Sequence, residues 1–172
     1  MIVNYSDTDV IKTKKSIFLA GPTPRKKEII SWRKEAIKIL EENNFDGIVY
    51  IPENSDDTPF KDQLKQMQWE REALTNATII LFWIPRSLPD MPAFTTNVEF
   101  GYWLHTKKCI YGRPDEAVKK KYLDWLYELD YGVKPFKSLE TLIKEAIEQC
   151  NEREKVYTKT YEIWNKMWSV IE

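Results

Sequence analysis

Four short apolar runs, each stopped by glycine or proline, constrain this chain more than any other feature. They occupy residues 16–20, 47–51, 78–84 and 108–111 and end at Gly21-Pro22, Pro52, Pro85 and Gly112-Arg113-Pro114. A continuous apolar run suits a strand buried on both faces, and proline, which has no N–H to give, ends its ladder. Helical patterns separate the runs. Residues 27–43 place Ile29, Ile30, Ala36, Ile37 and Leu40 on one face before Asn43-Asn44. Asp57-Thr58-Pro59 reads as a cap followed by proline at the first helical position, opening a helix to about residue 76. A proline-punctuated loop, 85–94, leads to a helix starting near Thr96, and 115–129 reads as another. After Pro135 two more helices are expected, at 138–149 and 153–171. Regular alternation of this kind predicts an α/β fold: a flavodoxin-like or Rossmann-like open parallel sheet with helices on both faces, extended by C-terminal helices.

At 172 residues the chain is expected to form one domain, with a core over about 16–130 and a helical extension over about 136–172. Its 26 basic and 27 acidic side chains nearly cancel, so no global field favours a nucleic acid polymer or an anionic membrane. Any anion has to be bound locally. The first fifteen residues are polar and charged, unlike a signal peptide, and no apolar run reaches bilayer length, so the expected location is cytoplasmic. Two unpaired-looking cysteines and one histidine argue against disulfides and a metal site, and no cofactor is expected. Seven tryptophans imply large buried rings or rings flanking a planar ligand; Trp69, Trp83 and Trp103 can serve either way.

Ligands of open parallel sheets bind beyond the carboxyl ends of the strands. The site should therefore draw on the loops at 21–25, 52–54, 85–99 and 112–114. Three of these carry an arginine just after the strand, and Arg25, Arg86 and Arg113 can be read as a guanidinium cluster for a phosphate or as solvated loop residues. Thr96-Asn97-Val98-Glu99 has capping-box spacing, in which Glu99 reaches back to the threonine N–H.

Ile17-Phe18-Leu19-Ala20-Gly21-Pro22, then Gln68-Trp69-Glu70, then Asn97-Val98-Glu99-Phe100-Gly101-Tyr102 resemble the nucleoside 2-deoxyribosyltransferase-like superfamily. The likeness runs from about residue 16 to 130. It is nearest to a subgroup with Gly-Pro-Thr-Pro-Arg after the first strand and Thr-Thr-Asn-Val-Glu-Phe-Gly before the third helix. The resemblance implies that Glu99 is a nucleophile that attacks an anomeric carbon and forms a glycosyl ester, after which a base or water completes the reaction with retention. It implies a second acid to protonate the leaving base, with Glu70 first and Asp90 a weaker candidate. Phe18, Gly21, Pro22 and Asn97 match positions near the ligand. The three arginines favour a phosphorylated ligand. The implied substrates are 2′-deoxynucleosides or their 5′-monophosphates, with a free nucleobase as a possible acceptor. Hydrolysis of a nucleoside 5′-monophosphate and a non-catalytic nucleotide-binding module are the alternatives. Superfamily members often assemble, so Tyr157, Tyr161, Trp164 and Trp168 are expected to form a packing or homo-oligomer surface.

Overall fold

The computed structural model describes residues 1–26, 28–56, 58 and 62–168, with side chains of the last helix described up to residue 162. Five strands form one wholly parallel sheet: β1 (Ile2–Tyr5), β2 (Ser16–Ala20), β3 (Ile48–Ile51), β4 (Ile79–Trp83) and β5 (Cys109–Gly112), in the order β1-β3-β2-β4-β5. The fold is the expected α/β, flavodoxin-like one. Every residue of β2 to β5 is buried, which is why these runs are apolar without alternation.

Side chains leave the sheet alternately up and down. Phe18, Tyr50, Ile80 and Phe82 meet α2 (Gln63–Asn76), α3 (Phe94–Trp103) and α4 (Lys121–Tyr131) on one face. Ile17, Leu19, Val49 and Leu81 meet α1 (Trp32–Glu42) and α5 (Leu139–Trp168) on the other. A short 3-10 turn, Leu104–Thr106, links α3 to β5.

Several expectations are corrected. β1 lies in a segment whose polarity hid it. It is an edge strand, and its Asn4 is buried because the side chain ties the following loop, donating to Thr8 Oγ1 (2.8 Å) and Asp9 O (3.0 Å) and accepting from Ile11 N (2.9 Å). The first helix begins at Trp32, not at residue 27, because Ser31 caps it by accepting from Arg33 N. Ile30 precedes it and is exposed. Lys27, Asp57 and Pro59 lie outside the described residues; α2 is capped by Asp62, which accepts from Leu64 N and Lys65 N. The helix expected at 115 starts at Lys121. The two expected C-terminal helices are one helix of 30 residues, since no glycine or proline interrupts 149–153. Beyond Cys150 this helix leaves the core: Tyr157 and Tyr161 are exposed, Lys14 Nζ stands 4.4 Å from the Tyr157 ring centre, and the side chains of Trp164 and Trp168 lie outside the described residues. No helix among the described residues is long and apolar enough to cross a membrane.

Candidate active site

The chain order reverses between β2 and its neighbours β3 and β4, so the loops after these strands open a crevice at their carboxyl ends. A cavity of about 410 Å³ occupies it, with Phe18, Gly21, Arg25, Arg33, Glu70 and Glu99 on its walls. Pro22, Thr23, Pro52, Gln66 and the 92–96 segment line it as well.

Gly21 is required here by close approach. At φ +154° it passes so near β4 that a Cβ would lie 2.1 Å from the Trp83 carbonyl oxygen and 2.8 Å from Trp32 Cζ2. Its lack of a side chain therefore serves the fold as well as the cavity.

Arg33, which the sequence reading passed over, organises the loop. It sits in the apolar stripe of α1 and is only 1% exposed. Its Nε donates to Leu19 O (3.0 Å), Nη2 to Gly21 O (2.7 Å), and Nη1 to Thr23 Oγ1 (3.1 Å) and to Glu53 Oε1 (2.6 Å). Ser31 Oγ donates to the same Glu53 oxygen at 2.9 Å. A buried charge needs such saturation. A cation in the 33, 36/37, 40 stripe of an otherwise apolar face was the signal available in the sequence.

Glu99 does not form the expected capping box. α3 starts at Phe94 behind Ala93, whose φ is +58°, with no side-chain cap, and Thr96 is already inside the first turn and buried. Glu99 consequently belongs to the helix body, on the stripe of Thr96, Phe100 and Trp103 that faces the sheet, and near enough to the amino end to reach the cavity. Its carboxyl pKa is pushed up to about 7, chiefly by burial and secondly by the charge of Glu70, while Arg33 pulls it down. Burial also raises Glu70, against the opposing effects of Gln66, whose Nε2 donates to Glu70 Oε1 at 2.8 Å, and of Arg33. Two carboxyl groups with elevated pKa values thus share one cavity beside one fixed guanidinium.

The arginine cluster is not formed. Arg25 alone of the three reaches the cavity, with its guanidinium 5.7 Å from the Phe94 ring centre. Arg86 is buried beyond β4, where Nη1 donates to Lys119 O (2.8 Å) and Nη2 to Asn97 Oδ1. Asn97 is thereby held outside the cavity wall. Arg113 follows the edge strand β5, and pairs with Asp124 (2.9 Å) and Asp115 (3.0 Å). Because β5 borders β4 alone, its loop is remote from the switch point. Asp90 is likewise no part of the wall; its carboxylate pairs with Lys26 at 2.9 Å and its carbonyl accepts from Arg25 N at 3.1 Å. Trp69, Trp83 and Trp103 are core residues, with Trp69 packed against Phe18 and Tyr50.

The model of the family described as nucleoside 2-deoxyribosyltransferase like matches residues 14–117. The chain belongs to this family. The match takes in β2 through β5 and every wall residue named above. Among curated proteins, no match to the chain is found.

Proposed function

We propose that this protein cleaves or exchanges the N-glycosidic bond of a 2′-deoxynucleoside or its 5′-monophosphate. The observation that carries the reading is the pairing of Glu99 and Glu70 in one cavity, with Glu99 raised to about 7. Burial raises both carboxyl groups and the charge of Glu70 raises Glu99 further, so the pair can hold a single proton near neutrality, which in the resting site lies on Glu99. In the form that reacts the proton has passed from Glu99 to Glu70: the Glu99 carboxylate attacks the anomeric carbon, the C–N bond breaks and its electron pair passes to the base, which takes the proton from Glu70. A glycosyl ester on Glu99 results. A second base attacks the same carbon and gives a new nucleoside, or water gives the free sugar, and each outcome retains configuration. Arg33 limits the rise in pKa of both acids and so keeps a usable fraction of Glu99 ionised near neutral pH.

Hydrolysis of a 5′-monophosphate is the second reading, favoured by Arg25, which lies on the wall without an ion pair among the described residues. Incubation with a panel of deoxynucleosides and their 5′-monophosphates, with and without a second base, separates the two by chromatography. A new nucleoside indicates transfer and free base alone indicates hydrolysis. Glu99→Ala is expected to abolish both. A folded Glu99→Ala protein with full activity would overturn the mechanism, and binding without products would indicate a non-catalytic module.

A further inference from the structure

One helix supplies both the acid and a neighbour for it. α2 turns Gln63, Gln66, Met67 and Glu70 to the cavity, the spacing of a single helical stripe. Gln66 stands one turn before Glu70, half-buried on the same wall, and its Nε2 donates to Glu70 Oε1 at 2.8 Å. A carboxylate has no proton to give, so the amide nitrogen has to face it and the amide oxygen is left for another donor. Among the described residues Gln66 Oε1 meets none. The same bond occupies Glu70 Oε1, so in the reacting form the proton belongs on Oε2. The pair offers a base two groups side by side, a donor at Glu70 and an acceptor at Gln66.

Resting on the glycosidic reading above, we propose that Gln66 selects aminated bases over their oxo counterparts, adenine over hypoxanthine and cytosine over uracil. Adenine presents the ring acceptor N7 beside the N6 amino donor, and cytosine presents N3 beside the N4 amino donor. Each edge complements the pair. Glu70 gives its proton to the ring nitrogen as the C–N electrons enter the base, which leaves neutral, while Gln66 accepts from the amino group. Hypoxanthine puts an oxygen where Gln66 needs a donor, and uracil puts an N–H against the acid as well. Gln66 could meet an oxo group only by turning its nitrogen to the base, which brings its oxygen to Glu70 and draws the proton away from the leaving group. Unmatched polar groups in a partly buried wall cost more than one matched bond gains there.

The test follows base release from 2′-deoxyadenosine against 2′-deoxyinosine and from 2′-deoxycytidine against 2′-deoxyuridine, as free nucleosides and as 5′-monophosphates. Within each pair the amino-to-oxo ratio of kcat/KM should fall by about tenfold in Gln66→Met, which removes the amide and keeps the length of the side chain. Intrinsic leaving ability cancels when the two proteins are compared on one pair. A ratio that is unmoved or raised overturns the proposal. A second measurement needs no substitution at Gln66. Glu99→Gln protein, in which turnover is stopped, is titrated calorimetrically at about pH 5, an acidity that favours protonated Glu70. It should hold 2′-deoxyadenosine about tenfold more tightly than 2′-deoxyinosine, and equal or reversed affinities overturn the proposal. Absence of release from every substrate sinks the glycosidic reading, while the titration still decides the role of Gln66. If neither purine nucleoside binds, both fail.

Discussion

Replacing the Glu99 carboxyl with an amide should stabilise the fold at alkaline pH and leave it unchanged in acid. Glu99 titrates near 7 in the folded protein and near the ordinary 4.5 when unfolded. Between those values the folded protein keeps a proton that the unfolded chain has released, so stability falls as pH rises. The favourable contribution is complete below 4.5 and is lost as pH climbs through 7. Over that interval the difference corresponds to about 3 kcal/mol, an upper figure because solvent reaches part of the cavity. Glu99→Gln carries no such charge. Its stability relative to the parent should rise from near zero at pH 4.5 to roughly 2 kcal/mol at pH 8. Urea unfolding followed by tryptophan emission at four or five pH values measures this, and the titrating groups that do not interact with Glu99 cancel in the difference between the two proteins. A difference that stays flat with pH, or an amide variant less stable than the parent at pH 8, would refute the placement of Glu99 against Glu70 in a desolvated cavity.

Other outcomes follow from the same geometry. kcat/KM should fall as pH rises through about 7, where the carboxyl pair loses its one proton, and Glu70→Gln should abolish that fall while lowering kcat by about 100-fold through loss of the proton donor; a fall that persists in the Glu70→Gln pH–rate profile counts against the pairing. Arg33→Met should cost about 3–5 kcal/mol in urea unfolding, since it strands Glu53 and the Leu19 and Gly21 carbonyls, and should shift the fall in kcat/KM to higher pH; a loss under about 1 kcal/mol would contradict the saturated network. Gly21→Ala should destabilise the fold by about 2–4 kcal/mol in the same assay, because the new methyl overlaps the Trp83 carbonyl, and near-parental stability would show that β4 yields more readily than its contacts imply.

Much of the architecture was legible because it depends on local chemistry. Apolar runs closed by Gly21, Pro52, Pro85 and Gly112 gave four of the five strands, since a strand covered on both faces must be apolar at every position. The same reasoning placed the ligand at the strand ends, and the cavity lies there. β1 escaped it because an edge strand of four residues needs little apolar surface and its Asn4 is satisfied by the loop it organises. The capping box at Thr96 to Glu99 failed for a related reason. Spacing identifies side chains able to cap, but the course of the loop decided that the helix begins at Phe94.

The site divides along the same line. Sequence by itself determined which groups lie near the strand ends, Glu99 and Gly21 among them, because a parallel α/β chain has little choice about which of its ends carry the loops. Tertiary structure decided which of them face one another. Arg25, Arg86 and Arg113 hold equivalent places along the chain, yet Arg25 alone lines the cavity, because β2 is at the switch point while Arg86 and Arg113 are consumed by Asn97, Lys119, Asp115 and Asp124. Arg33, with no motif to mark it, became the cation beside the carboxyl pair. Electrostatic energy depends on distance and desolvation, and both are set by how α1, α2 and α3 converge on the sheet, so the raised pKa of Glu99 exists only in the folded chain.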